Sequence, residues 1–493
     1  MTVRLASLLE GFAATAGCGD LVVSGLSIDS RTLVPGEAFV ALAGTQRHGI
    51  DFAAAAIAHG AAVVLAEAPA RSFDGGAVPV LWVERLGERL GVIASRFYGD
   101  PSAALRVIGV TGTNGKTSSV QLLAQALQRL GHRAASIGTL GAGLVGELRA
   151  SEGTTPDPIR VQRLLAGFRD AGATHVAMEV SSHGLDQHRV AGVRFEVAAF
   201  TNLTRDHLDY HGSMQAYGAA KAKLFAWPGL RAAVINIDDA FGRELAATLP
   251  PGVARWRTSA AGARAAEVGA SDVVTSARGL SFALRMPGGD RTMHSALLGR
   301  FNVANLLTAA ACLGALGEDL DASLRALEAA RPVDGRMNRL GGDHALPLVV
   351  IDYAHTPDAL EQALLALRAH CAGRLLCVFG CGGERDAGKR PQMGAIAARL
   401  ADLAIVTDDN PRGEDGDAIV AQILSGMNDK ALVERDRARA IARALAAAGA
   451  GDVVLIAGKG HETYQEGPQG KHPFDDLAIA RAALDRLAGE RAA

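Results

Sequence analysis

The run Gly112-Thr113-Asn114-Gly115-Lys116-Thr117 has the residue types of a phosphate cradle. Glycines let backbone N–H groups turn inward on a polyanion, and a helix that follows adds positive potential at its N-terminus. Lys116 is placed for the outer phosphates and the Thr117 hydroxyl for a magnesium ion. Val110 stands where the eight-residue P-loop pattern has its first glycine, so the loop is a variant of that pattern. A glycine-rich turn without catalysis is the bland alternative.

Four further groups carry chemistry. Glu179, in Met178-Glu179-Val180-Ser181-Ser182-His183, ends an apolar run and suits a hard cation beside phosphates; a solvated strand-end charge is the alternative. Thr201-Asn202-Leu203-Thr204-Arg205-Asp206-His207-Leu208-Asp209-Tyr210-His211 is a dense polar run, costly near a strand end unless it binds something. His207 and His211 have i, i+4 spacing, but Leu208 stands where a zinc protease of the H-E-x-x-H type has its glutamate. Lys221 and Lys223 follow on a predicted helix. Finally, Asp408-Asp409-Asn410-Pro411-Arg412 lies beyond a predicted strand ending at Thr407, where Asn-Pro also suits a simple turn.

Positioning these groups takes strands and helices in alternation. Arg106 to Val110 reads as a buried strand, and Val120, Leu123, Leu127 and Leu130 give helical spacing over 118–130. Further strands are predicted at 174–178, 197–200 and 233–237, which argues for a mostly parallel sheet. After Arg331-Pro332-Val333-Asp334-Gly335-Arg336 the alternation resumes, with strands at 348–351, 375–379, 403–406 and 453–456. That last region reads as Rossmann-like, with ligands beyond the strand C-termini. Phe97-Tyr98-Gly99-Asp100-Pro101-Ser102 reads as a linker. The fold class is therefore α/β in three domains, 1–101, 102–337 and 338–493, the middle one P-loop ATPase-like.

Composition narrows the function. With 493 residues one core is too few. Apolar residues make up 49%, charged ones 21% and the net charge is −2, which predicts a soluble globular chain with no basic nucleic-acid surface. No apolar run reaches the ~18 residues of a membrane span. Glu10 interrupts the N-terminal apolar stretch, so Leu5, Leu8, Leu9 and Phe12 fit one face of a short helix and not a secretory signal. The five cysteines show no C-x-x-C pairing, which suits idle thiols in a reducing cytoplasm.

These segments, with Gly299-Arg300-Phe301-Asn302-Val303-Ala304-Asn305, Asp334-Gly335-Arg336 and Asp352-Tyr353-Ala354-His355-Thr356-Pro357-Asp358, resemble the ATP-dependent Mur ligases of peptidoglycan synthesis over the whole chain. The resemblance implies that Gly112, Thr113, Asn114, Gly115, Lys116 and Thr117 hold ATP, with Asn302, Arg336 and Asp352 also contacting the nucleotide. It implies Mg²⁺ at Thr117, Glu179, His207 and Lys221. Lys221 matches the lysine that this family carbamylates with CO₂, selected over Lys223 by its lysine-x-x-leucine pattern. With Lys116, Glu179 and His207 it forms the implied catalytic set. Thr154, Thr155, Ser181, Gln187 and Arg189 match contacts to the muramoyl peptide. Ile28, Ser30, Thr45 and Gln46 match those to its UDP end, in a UDP-binding N-terminal α/β domain.

Asp409, Asn410, Pro411 and Arg412 resemble the D-N-P-R motif of family members that add meso-diaminopimelate. That substrate has a second carboxylate, absent from lysine, which a planar guanidinium binds bidentately. Arg385, Gly458 and Glu462 match further contacts. The implied activity adds meso-diaminopimelate to UDP-MurNAc-L-Ala-D-Glu through an acyl phosphate, in the cytoplasm, by a monomer with neither nucleic acid nor membrane as partner. A sister ligase taking lysine is the enzymatic rival, and a nucleotide switch or scaffold the rival from another class. No N-K-x-D guanine motif is visible, and Asn236-Ile237-Asp238 lacks the lysine.

Overall fold

The structure is a computed structural model that describes residues 2–44, 47–150, 153–332, 337–343, 346–427 and 431–492. The chain divides into two compact units, 1–269 with 305–327, and 270–304 with 328–493.

The first unit holds two main sheets. Strands Leu26–Ser27, Ala38–Ala41, Val63–Glu67 and Val80–Val83 pair in parallel in that order. Alternate residues of these strands enter two cores: Val40, Val63 and Leu65 on one face, Phe39, Ala41, Val64 and Ala66 on the other. The helix Leu5–Leu9 buries Leu5, Leu8 and Leu9 in the first of these cores, as predicted for its apolar face.

The larger sheet is built round the strand Arg106–Thr111, all but its first residue buried. Its strands within the first unit run in the order 254–259, 232–236, 195–200, 106–111, 175–179, 134–138 and 141–144. Among these seven strands all pairings are parallel except the last, where 141–144 runs antiparallel to 134–138. The chain leaves the strand 106–111 to build one flank, 134–138 and 175–179, then crosses to begin the other at 195–200. The reversal therefore falls at the strand that precedes the glycine loop, where an open α/β sheet forms its ligand crevice. The predicted helix starts at Lys116 and ends at Arg129, with Val120, Leu123 and Leu127 buried.

In the second unit, strands Leu348–Asp352, Val453–Ala457, Leu375–Phe379, Leu403–Val406 and Ala431–Val433 lie side by side and parallel, with Asn338–Gly341 antiparallel at the edge. Strand alternation sorts the side chains to two faces. Val350, Leu375, Cys377, Phe379 and Val406 meet helices 357–368, 389–400 and 416–424 on one face. Val349, Ile351, Leu376, Val378 and Ile456 meet helices 437–447 and 476–492 on the other. This is the doubly wound arrangement predicted for the region. The alanine-rich stretch after 437 is one of those helices, with Ala440, Ile441, Ala444 and Leu445 in the core. All five cysteines are free. Among the described residues, no helix is long and apolar enough to cross a membrane.

Candidate active site

The glycine loop is held open by close approaches that only glycine permits. Gly112 has φ +151°, and a Cβ there would overlap the Thr201 hydroxyl. Gly115 has φ +83°, and a Cβ there would stand 2.5 Å from Asn305 Oδ1. The polar run after the strand 195–200 explains itself in part here. Thr201 Oγ1 donates to the Asn114 carbonyl at 2.6 Å, and the Asn114 N–H donates to Asn202 Oδ1 at 2.9 Å. The Thr204 N–H donates to Thr113 Oγ1 at 3.0 Å. These residues pin the loop.

Lys116 folds back over the loop, its ammonium donating to the carbonyls of Gly112 and Thr113, both at 2.9 Å. Burial pushes its pKa down, against the opposing pull of Glu179 and Asp206. Thr117 Oγ1 donates to Glu179 Oε2 at 3.0 Å. Glu179 is the last residue of its strand, level with Val110 across the ladder, and is 1% exposed. Its other oxygen accepts from the Thr139 N–H at 2.9 Å. Burial raises the Glu179 pKa, opposed by these bonds and by Lys116. A buried carboxylate touching a threonine hydroxyl is a hard oxygen donor set of the kind magnesium takes, so the residues fit that ion.

Lys221 is 1% exposed, and its ammonium donates to the Gly112 carbonyl at 2.8 Å and lies 4.3 Å from the Tyr217 ring centroid. Burial first, and then the charge of Lys116, lower its pKa to about 7. Lys223 behaves differently: it is half-exposed and pairs with Asp186 at 2.7 Å. The structure thus separates the two lysines by environment.

His207 caps the short helix Leu208–His211 in the left-handed region. His207 and His211 both pack their rings on His183, at centroid distances of 4.8 and 5.4 Å, and on Tyr217, at 6.0 and 5.2 Å. Tyr217 Oη in turn lies 3.1 Å from Thr113 Oγ1. His207 is therefore one side chain removed from the loop.

The predicted peptide-binding residues form one hydrogen-bonded chain beside Glu179. Thr154 Oγ1 lies 3.0 Å from Thr139 Oγ1, and Thr155 Oγ1 donates to the Glu179 carbonyl at 2.9 Å. The Ser181 N–H donates to Thr155 Oγ1 at 3.0 Å. Arg189 grips the Thr155 carbonyl at 2.8 Å and Gln187 Oε1 at 3.0 and 2.6 Å. Ile28 and Ser30 lie just past the strand 26–27, and the Ser30 carbonyl is 2.6 Å from His59 Nδ1. They share no hydrogen bond with that chain among the described residues. Thr45, Gln46 and Arg336 lie outside the described residues.

The second unit gathers its own candidates at strand C-termini. Asn410 Oδ1 accepts from Lys459 Nζ and from the Glu466 N–H, each at 2.9 Å, while its Nδ2 donates to Glu462 at 3.0 Å. Asp409 is 7% exposed, and its Oδ1 makes no hydrogen bond among the described residues. Burial raises its pKa against the pull of Arg437 and Lys459. Gly458 has φ +117°, and a Cβ there would stand 3.3 Å from Asp409 Oδ2. Its N–H donates to the Asp352 carbonyl at 3.1 Å, while an Asp352 carboxylate oxygen accepts from the Met337 N–H at 2.9 Å. Asn302 is buried and donates to the Leu298 carbonyl at 2.7 Å.

Pro411 precedes Arg412, which takes φ +52°. Arg412 Nη1 donates to the Gly383 carbonyl at 2.8 Å and Nε to Glu466 at 3.2 Å. Its Nη2 makes no hydrogen bond to a described residue. Arg385 is exposed on the neighbouring loop. Sequence reasoning missed Thr139, Tyr217 and Glu466, and quoted Asn305 in a motif without giving it a role. Thr139 had a usable signal, its place one residue past the strand 134–138.

A loop at a sheet's reversal point, a buried glutamate on its threonine and a second polar cluster from Asn410 to Arg412 together define a nucleotide-dependent ligase scaffold, and the chain belongs to the Mur ligase family. Its residues 22–98 match the family's catalytic domain model, 110–313 the Mur ligase middle domain and 335–460 the Mur ligase glutamate ligase domain. Over 467 residues, 94% of each chain, it is 58% identical to the UDP-N-acetylmuramoyl-L-alanyl-D-glutamate–2,6-diaminopimelate ligase of Xanthomonas campestris. It is 53% identical to the ligase of the same name from Pseudomonas aeruginosa, over 94% of this chain and 96% of that one. A solved structure of a ligase with that name superposes with a TM-score of 0.80 at 37% identity, covering 99% of this chain and 100% of the other.

Proposed function

We infer that the chain is an ATP-dependent amide ligase that joins meso-diaminopimelate to UDP-MurNAc-L-Ala-D-Glu in cytoplasmic peptidoglycan-precursor synthesis. The observation that carries this reading is the presence of two strand-end sites, a phosphate loop with Glu179 in one unit and Asn410 to Arg412 in the other, in a chain 58% identical to a ligase of that name. The three-domain division at 1–101, 102–337 and 338–493 goes with it, as does a monomer.

The D-glutamyl side-chain carboxylate attacks the γ-phosphorus of ATP, the bond to ADP breaks, and an acyl phosphate forms. The diaminopimelate amine then attacks the acyl carbon; the C–N bond forms, phosphate departs and an amine proton is released. Backbone N–H groups from Gly112 to Thr117 hold the phosphates, and Lys116 exchanges its two carbonyl partners for phosphate oxygens. Thr117, Glu179, His207 and the carbamate of Lys221 would hold Mg²⁺. That ion neutralises phosphate charge when bound.

At a pKa of about 7, Lys221 has a large neutral fraction at physiological pH, so its amine attacks CO₂ to give a carbamate and a proton. The product is an oxygen-donating anion beside Lys116. Asn302, Arg336 and Asp352 contact the nucleotide. Thr154, Thr155, Ser181, Gln187 and Arg189 take the muramoyl peptide, and Ile28, Ser30, Thr45 and Gln46 its UDP end. Arg385, Asp409, Asn410, Pro411, Arg412, Gly458 and Glu462 take diaminopimelate.

Phosphate release tests the class of reaction. An amide ligase releases phosphate from ATP only when both the UDP-dipeptide and the amino acid are present. Release independent of both would point to a nucleotide switch.

A further inference from the structure

At the other end of the larger sheet from the glycine loop, three ligating side chains converge from distant parts of the chain. His132 lies in the turn after the helix 116–129, His175 opens the strand 175–179, and Glu318 follows the helix 301–316. One ligand atom from each lies within 4.8 Å of the others. His132 Nε2 is 3.0 Å from Glu318 Oε1, and the two imidazole centroids are 4.2 Å apart. His175 pairs with Arg106 across the ladder, at the start of the strand whose far end runs into the phosphate loop. Five residues of strand separate the two ends, about 16 Å, so this cluster is not part of the phosphate site.

A hydrogen bond between His132 and Glu318 explains two of the three groups and leaves the third unexplained. His175 is 3% exposed, and its Nε2 has no hydrogen-bond partner among the described residues. Its Nδ1 lies 2.9 Å from Thr174 Oγ1. If Nδ1 carries the proton and donates to that hydroxyl, Nε2 is left with a free lone pair, as in metal-binding histidines oriented by an outer partner. Arg106 is the competing cation, with Nη1 3.9 Å from Glu318 Oε1. Its fork is committed elsewhere, to Glu196 at 2.8 Å through both Nε and Nη2, with Nη2 also reaching the Leu316 carbonyl at 2.8 Å.

We propose that His132, His175 and Glu318 bind one zinc-class divalent ion, with water completing the shell. Two imidazoles and one carboxylate suit zinc-class ions better than magnesium, which takes oxygen ligands. Ligand atoms on a tetrahedral zinc with ~2.1 Å bonds lie ~3.4 Å apart, so the widest pair, within 4.8 Å, closes by up to about 1.4 Å through side-chain rotation. The ion ties three segments together, including the helix whose Asn305 abuts Gly115 in the phosphate loop. Its role is to clamp the base of the sheet; the chemistry is at the other end.

The test uses the full chain, stripped with a chelator, dialysed against zinc ions in excess Mg²⁺, and read by metal content and thermal melting. Wild type should retain one zinc and melt higher with it than without. His132→Gln and Glu318→Gln alter partly exposed side chains; they should fold, lose the bound zinc and lose the zinc-dependent shift. His175→Phe should behave alike while filling the same space. Absence of zinc from wild type overturns the proposal. So does zinc retained equally by His132→Gln and Glu318→Gln, or zinc lost only on Thr117→Val, which would place it at the phosphate loop.

Discussion

Lys116 and Lys221 donate to the same acceptor, the carbonyl of Gly112, at 2.9 and 2.8 Å. Two ammonium groups brought to one oxygen repel each other, and the charge of Lys116 is the second cause, after burial, of the low Lys221 pKa. The arrangement favours any change that puts negative charge between them. A phosphate does so for Lys116, and a carbamate does so for Lys221.

Lys116→Ala should therefore lose ligation while keeping the fold. Charge developing on the phosphates is left uncompensated, a loss on the order of 10²-fold or more in kcat. Steady-state kinetics beside circular dichroism checks it; near-normal turnover in a folded variant contradicts the role.

The two nearby lysines should part company. Lys221→Ala should be nearly inactive and partly rescued by a small carboxylate that supplies the missing anion. Lys223→Ala should stay within a few fold of wild type, since it breaks only a half-exposed pair with Asp186. An inactive Lys223→Ala beside an active Lys221→Ala would reverse the assignment.

Lys221 also predicts a pH dependence of stability. Its folded pKa is about 7 and its unfolded value about 10.4, so between them the unfolded chain binds the extra proton. Its burial therefore costs most below pH 7, and stability rises with pH through that window. In CO₂-depleted buffer, Lys221→Met should be more stable than wild type near pH 6. The advantage should shrink toward pH 10 by at most about 1.4 kcal/mol per pH unit. Denaturant unfolding at several pH values reads it, and a constant difference would contradict a depressed pKa.

Arg412 should read the distal carboxylate of diaminopimelate through Nη2, the nitrogen its partners leave open. Arg412→Ala should raise KM for meso-diaminopimelate, with a loss of roughly 1.5–3 kcal/mol for the charged contact, and affect lysine far less. The ratio of kcat/KM values for the two acceptors should fall. An unchanged ratio would show that Arg412 reads something else. Glu466, which holds Arg412 Nε, should matter as a positioning residue. Glu466→Gln should change KM more than kcat.

What was legible in the sequence was local. Gly112 and Gly115 announced the loop because only glycine fits there, and apolar runs gave the strands at 106–111, 375–379 and 403–406. Glu179 was legible from its place at a strand end. Tyr217 and Glu466 were not, because each meets its partner across a long stretch of chain and carries no local signature. Tyr217 joins Thr113 across 104 positions, and Glu466 joins Arg412 across 54. The i, i+4 spacing of His207 and His211, already set apart from a zinc-protease pair by Leu208, does not place both on one helix. Instead the helix begins only at Leu208, and His207 caps it with a left-handed backbone.

Product mass tests the central claim most directly. The enzyme is given ATP, Mg²⁺ and UDP-MurNAc-L-Ala-D-Glu with equal amounts of meso-diaminopimelate and L-lysine, and the products are weighed. The account predicts one dominant product, the UDP-tripeptide carrying diaminopimelate, formed with one phosphate released per bond. A product carrying mainly lysine, or phosphate release without any new amide, would contradict it.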